Sequence, residues 1–220
     1  MSRDYKLVDV SHTVEHEMIT YKGLPGPVIS DYLTREESRT RYAEGTEFHI
    51  GKIEMVANTG TYLDTPFHRY ARGKDLAHLD LYSIANLDGI VVRCLDTKEI
   101  TEQVFEGLDI NGKAVLVHTG WDEHWRTDEY SSGNHPYLTE SAATYLAKNA
   151  AVLVGIDSFN IDGTRDGNRP AHTILLGHDI PIVEHLRSLA DLPDNGFRFF
   201  AVPVKVRQFG TFPVRAFGII

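Results

Sequence analysis

Three stretches decide the fold class: Gly89-Ile90-Val91-Val92-Arg93-Cys94-Leu95, then Lys113-Ala114-Val115-Leu116-Val117-His118, then Ala151-Val152-Leu153-Val154-Gly155-Ile156. Each is short, nearly unbroken in apolar character and rich in β-branched residues, as a strand buried on both faces reads. Helical signals lie between them. Thr97 to Gly107 has Asp96 or Thr97 as its N-cap and Gly107 as its stop, and Thr139 or Ser141 caps a second helix running to Asn149. Strand, helix, strand, helix, strand yields parallel pairing. The flanks are strand-rich instead: Tyr5 to Val14, Glu47 to Ala57 with a register break near Gly51, and Phe197 to Val206. The expected class is α/β with a mixed sheet, and one helical turn is expected over Thr173 to Leu176.

At 220 residues the chain can bury one substantial core, so a single domain over 1–220 is expected. Residues 21–46 hold Gly23, Pro25, Gly26 and Pro27, then a charged run from Arg35 to Arg41, and read as a long loop or arm with a short helix. Apolar content of 42% and charged content of 24% are ordinary for a globular protein. A formal charge of −9 argues against a nucleic-acid surface, which needs clustered Lys and Arg. No apolar run approaches the ~20 residues of a membrane helix, and Met1-Ser2-Arg3-Asp4-Tyr5-Lys6 leads into no signal-peptide core. The single Cys94 sits in an apolar strand and reads as a core thiol rather than a nucleophile. A cytoplasmic protein is expected. Eleven histidines raise the prospect of a metal or acid–base site, although His124, His135 and His185 sit among polar residues and read as exposed.

Four clusters carry candidate chemistry. In Asn58-Thr59-Gly60-Thr61-Tyr62-Leu63-Asp64-Thr65-Pro66-Phe67-His68, Gly60 allows a tight backbone path and Pro66 ends regular pairing. Asp64 and His68, four apart, can converge on one ion or one water; the plainer alternative is a turn with His68 at the surface. In the second cluster, His172 follows a polar loop and Glu184 ends the apolar run Ile180-Pro181-Ile182-Val183. A carboxylate there is paired, bound, or opening a helix. The third, His118-Thr119-Gly120-Trp121, and the fourth, Asp157-Ser158-Phe159-Asn160-Ile161-Asp162, both follow strand ends, where α/β sheets build sites. For Asn160 and Asp162 a plain turn is the favoured reading. Gly-x-Ser-x-Gly, phosphate-cradling glycine loops and Cys-x-x-Cys are all missing, which removes the chemistries they serve.

Taken in order, these clusters resemble the cyclase family, whose best-described branch is the bacterial kynurenine formamidase type, with isatin hydrolase as a relative. The resemblance rests on 58–68, on Val115-Leu116-Val117-His118-Thr119-Gly120-Trp121, on Leu153-Val154-Gly155-Ile156-Asp157, and on His172 followed by Ile180-Pro181-Ile182-Val183-Glu184. It implies a swivelling β/β/α-type fold, homodimers or homotetramers with an N-terminal arm reaching a neighbour, and hydrolysis of amides or cyclic amides with Zn²⁺ or Mn²⁺. By position, Asn58 and Tyr62 stand where relatives carry histidine ligands. Asp64 matches the ligand carboxylate, His68 the histidine near the attacking water, and His172 and Glu184 the remaining pair.

The expectation is therefore a metal-dependent, arylformamidase-like hydrolase of a small molecule. One divalent ion (Mn²⁺ or Zn²⁺, with Mg²⁺ or no ion as alternatives) is held by Asp64, His172 and Glu184, with Asn58 as an optional weak donor. His68 shuttles the proton of a water whose pKa the ion lowers, and Tyr62 donates to the developing oxyanion. Phe67, Trp121 and His118 are the candidate pocket residues. Two other readings stand beside this one. Asp64, His68 and Tyr62 alone can run a metal-free cyclase, dehydratase or isomerase, or a degenerate member can bind a small molecule or partner without turnover.

Overall fold

In the computed structural model, which describes residues 4–220, the three apolar stretches lie side by side; Met1 to Arg3, read above for a leader, lie outside the described residues. The strands in chain order are β1 (Leu7–Asp9), β2 (Val28–Leu33), β3 (Ile50–Glu54), β4 (Tyr62–Asp64), β5 (Leu87–Arg93), β6 (Glu99–Ile100), β7 (Ala114–His118), β8 (Tyr137–Leu138), β9 (Leu153–Ile156), β10 (Ile182–Glu184), β11 (Phe197–Phe200), β12 (Thr211–Pro213) and β13 (Phe217–Ile219). The α-helices are α1 (Arg35–Ser38), α2 (Pro66–Arg69), α3 (Glu140–Lys148) and α4 (Pro170–Gly177). Nine strands form one mixed sheet in the order β1-β13-β11-β5-β7-β9-β10-β4-β12. Its centre, β5-β7-β9-β10, is parallel, and both flanks pair antiparallel.

The unbroken apolar runs follow from burial on both faces. Val115, Val117, Val154 and Ile156 meet Leu146 of α3 and Leu175 of α4 in one core. Ala114, Leu116 and Leu153, alternating with them, meet Val8, Leu63, Phe197 and Phe199 in a second core. Side chains alternate along a strand, so the register of β4 fixes where its polar groups go. Leu63 enters the second core, which turns Tyr62 and Asp64 to the face covered by the helices. There Glu184 of β10 opposes Tyr62, and Thr211 of β12 opposes Asp64. A row of buried polar groups is thereby set into a sheet face that is otherwise apolar.

Several expectations need correction. No α-helix forms over 97–107. Ile100 pairs in parallel with Leu138, and only a 3-10 turn over Glu102–Val104 follows. Strand pairing and burial of Ile100 and Phe105 override the helical capping signals, although Gly107, at φ +78°, does end the segment. Residues 21–46 are more regular than a loop. They carry β2, which pairs with β3 into a two-stranded ribbon, and the short helix α1 with a Thr34–Glu37 capping box. The expected register break near Gly51 is present between Asp31 and Leu33 opposite it. The alternation of Phe48, Ile50 and Ile53 marks no core, however, because all three are exposed. The helical turn at Thr173 extends to a full α4, and Glu184 lies in β10 rather than opening a helix. Of the stretches 5–14 and 197–206, only Leu7–Asp9 and Phe197–Phe200 are strand. His135 and His185 are buried, not exposed, and His124 is half-buried. Cys94 is a buried free thiol, as expected. Among the described residues no helix is long and apolar enough to cross a membrane.

Candidate active site

The short β4 delivers the first site residue. Gly60 takes the left-handed conformation, φ +64°, that turns the chain into the strand, and Pro66 opens α2 at the first helical position. That arrangement buries Asp64 completely and presents His68 one turn later, 3.6 Å away between Nδ1 and Oδ1. The Thr211 hydroxyl sits between them. It donates to Asp64 Oδ1 and lies 2.8 Å from His68 Nδ1. The second carboxylate oxygen, Asp64 Oδ2, is buried without a hydrogen-bond donor.

His172 comes from the first turn of α4, and Asp162 controls it. One Asp162 oxygen accepts the Ala171 amide at 2.7 Å; the other accepts the His172 amide at 3.0 Å and faces His172 Nδ1 at 2.6 Å. A carboxylate there assigns the proton to Nδ1 and leaves Nε2 for the site. Nε2 stands 3.7 Å from Asp64 Oδ2 and 3.7 Å from Glu184 Oε1. Asp64, His68 and His172 each offer one ligand atom, and these atoms all lie within 4.8 Å of one another.

Glu184 is held by donors on both oxygens: the Ile161 amide at 2.6 Å and the Tyr62 hydroxyl at 2.6 Å. Behind Tyr62 lies Tyr21, whose hydroxyl is 2.9 Å from that of Tyr62, 3.1 Å from Asn160 Nδ2 and 3.2 Å from His185 Nε2. Tyr130 completes the chain at 2.7 Å from His185 Nδ1. Burial, and then the Glu184 charge, push the Tyr62 and Tyr21 phenols well above their usual range, so both are neutral. In the ion-free chain Tyr62 is therefore a neutral hydrogen-bond donor to Glu184. Its proton points at Glu184 Oε2, 2.6 Å away.

The electrostatics ask for a cation. Burial lowers the pKa of His172, but Glu184, Asp162 and Asp64 together outweigh it and raise it to about 10. Burial likewise raises Glu184, against the pull of His172. Three buried carboxylates around one imidazole carry more negative charge than the imidazolium neutralises. A divalent ion supplies the missing positive charge, and the donor-less Asp64 Oδ2 is an oxygen ready for it. The residues fit a metal.

Tyr62, His68, His172, Glu184 and Asn58 all line one open cavity of about 1290 Å³. Phe67, Trp121 and His118 do not line it. The Trp121 indole donates to the Tyr130 carbonyl at 3.1 Å, and His118 Nδ1 is 2.9 Å from the Arg93 guanidinium. Packing and strand-end bonding account for both. Asp162 does make the expected Asx contact, its amide donating to Asn160 Oδ1 at 3.0 Å, but its carboxylate has the further task of fixing His172. Sequence reasoning missed Thr211, Tyr21 and His185. Nothing local marks the first two, while a histidine following Glu184 at the end of an apolar run was a usable signal.

Known proteins share this architecture. Residues 8–163 match the family model described as "Putative cyclase". A kynurenine formamidase from Bacillus cytotoxicus is 28% identical over 218 residues, covering 95% of each chain. A solved structure described as a potential metal-dependent hydrolase with cyclase activity has a TM-score of 0.79 at 26% identity and covers 98% of both chains. An isatin hydrolase bound to the product analogue thioisatinate has a TM-score of 0.80 at 20% identity, covering 99% of this chain and 93% of its own, which is a likeness of fold. With the family model matched over most of its length and the whole fold shared, the chain belongs to the cyclase family.

Proposed function

We propose that the chain is a metal-dependent hydrolase that opens the C–N bond of a small non-peptide amide or cyclic amide, with aryl formamides as the first class to try. The supporting observation is the convergence of Asp64, His68 and His172 around a buried, donor-less carboxylate oxygen, with both histidines lining one cavity. Asp64 and His172 would hold the ion with Glu184 beside them, and Asn58 lines the same cavity. One imidazole among carboxylate oxygens suits Mn²⁺ or Mg²⁺ more than a histidine-rich site, which suits Zn²⁺. A divalent ion so placed lowers the pKa of water and polarises an amide carbonyl.

The chain's own residues supply the rest. Asp162 keeps the proton on His172 Nδ1 and so keeps Nε2 facing Asp64. Thr211 spans Asp64 and His68, which fixes the His68 ring by its Nδ1. The side chain of His68 is 36% exposed, so a proton taken up on its Nε2 can leave to solvent. Tyr62 spends its hydroxyl on holding Glu184. The test is elemental analysis of protein purified without added metal, then chelation and add-back while aryl-formamide hydrolysis is followed. About one ion per chain is expected, with turnover lost on stripping and restored by Mn²⁺. Full activity in stripped protein overturns the reading.

We also infer a homo-oligomer built through the β2–β3 ribbon. Ile29, Tyr32, Ile50 and Ile53 are 43%, 72%, 45% and 50% exposed on it, more apolar surface than a free two-stranded ribbon keeps in water. A reducing, cytoplasmic setting accords with the unpaired Cys94 thiol.

A further inference from the structure

His135 is fully buried and stands outside the group of candidate ligands. Its Nε2 lies 3.0 Å from the Asp162 carbonyl oxygen, which can only accept, so the proton sits on Nε2 and Nδ1 carries a lone pair. Nδ1 is itself buried and meets no donor. Burial lowers the pKa of this imidazole, so it stays neutral and keeps that one tautomer. The ring packs edge-on against Phe159, with centroids 5.3 Å apart. A phenylalanine would fill the same space without a stranded nitrogen, so packing does not account for a histidine here. What the imidazole adds is one donor at one carbonyl.

That carbonyl belongs to the segment that aims the site. Asp162 is fully buried, and among the described residues no other group donates to its carbonyl. Residues 135–138 run beside 158–162 and hold them at two further points. Ser158 Oγ donates to the Pro136 carbonyl at 2.6 Å, and the Leu138 amide donates to the Ile161 carbonyl at 2.9 Å. The braced segment serves two candidate ligands: the Ile161 amide donates to Glu184 Oε1, and the Asp162 carboxylate holds His172. Past Asp162 the chain enters the loop 163–169 that leads into α4. Carbonyl and carboxylate of Asp162 branch from one Cα, so holding the first limits how far the second can turn.

We propose that His135 is a positioning residue for the candidate ion site. By donating to the Asp162 carbonyl it fixes the aim of the Asp162 carboxylate at His172 Nδ1, and with it the orientation of His172 Nε2 toward Asp64. Groups that orient a ligand from behind tune its affinity for an ion without touching the ion. The effect on ion binding rests on the hydrolase reading, while the hold on Asp162 and His172 belongs to the ion-free chain as well.

Two variants separate donation from packing. His135→Phe keeps a ring and removes the donor, while His135→Gln puts an amide donor near the place of Nε2. Calorimetric titration with Mn²⁺ should show about tenfold weaker binding by His135→Phe, and binding by His135→Gln within about twofold of wild type. In ion-free protein the His172 Nδ1 proton, held by Asp162, should give a sharp downfield NMR resonance in wild type and His135→Gln. In His135→Phe it should broaden through exchange with water. Unchanged affinity in a folded His135→Phe overturns the proposal, and so does equal weakening in both variants, which would leave only packing. Nitrogen chemical shifts of the wild-type chain decide the matter should His135→Phe fail to fold: a proton on His135 Nδ1 instead of Nε2 overturns the proposal. A wild-type chain that binds no Mn²⁺ overturns the hydrolase reading, and the His172 resonance then decides by itself whether His135 holds Asp162.

Discussion

At the scale of single residues, Asp162 shows how a side chain outside the ion's reach governs it. Its carboxylate accepts two backbone amides of α4 and the His172 Nδ1 proton, so the helix start and the imidazole orientation depend on one group. Asp162→Asn keeps an oxygen for an amide but loses the charge that makes His172 a strong donor of electron density. Ion affinity is expected to fall about 10–100-fold in a metal titration while the fold persists. Unchanged affinity would remove Asp162 from this role. Tyr62 gives a different readout. Tyr62→Phe leaves Glu184 Oε2 with only the Tyr21 hydroxyl at 3.4 Å, too long to replace a 2.6 Å bond. A buried carboxylate oxygen short of its donor costs about 1–3 kcal/mol, visible as a lower denaturant midpoint at unchanged slope. No loss of stability would mean that Glu184 is satisfied by other means.

At the scale of elements, legibility tracked how local the cause was. The apolar runs that became β5, β7 and β9 were plain, since burial on both faces writes itself into consecutive residues. The segment 97–107 misled because its capping residues and glycine stop are local signals, while its pairing with β8 is not. For the candidate site, the setting of Asp64, His172 and Glu184 leaves a turn or a helix start open, and it is the family resemblance that groups the three. Thr211 was not legible, because it reaches Asp64 only through the register of β12 on β4, across 147 positions. The ribbon was half legible. Its register break near Gly51 was anticipated, but alternation cannot say whether an apolar face meets the chain's own core or another surface. That gap is testable. Tyr32→Glu combined with Ile53→Glu places charge on the exposed ribbon, and light scattering should show the oligomer reduced to monomer. An unaltered mass would exclude the ribbon as the contact.

At the scale of the whole molecule, folding concentrates Asp64, Asp162 and Glu184, all buried, around a single imidazole. Such a cluster couples protonation to ion binding. The pKa of His172 without an ion is raised from 6.5 to about 10, so the imidazole is protonated throughout the neutral range. Coordination needs a neutral Nε2, so each ion bound near pH 7.5 should release about one proton. Affinity should rise with pH, by up to about tenfold per unit, until the imidazole deprotonates unaided near the upper value, and it should flatten beyond. The ion-free protein should show the converse. The raised pKa contributes stability that is fully present below the unfolded value and is lost as pH climbs through about 10. Calorimetry in two buffers of different ionisation enthalpy counts the protons, and His172→Gln, which cannot hold one, should abolish the release. Ion binding with no proton exchange in the native chain would show that His172 does not surrender its charge to the ion, and the ligand set would then have to be built from the carboxylates and His68.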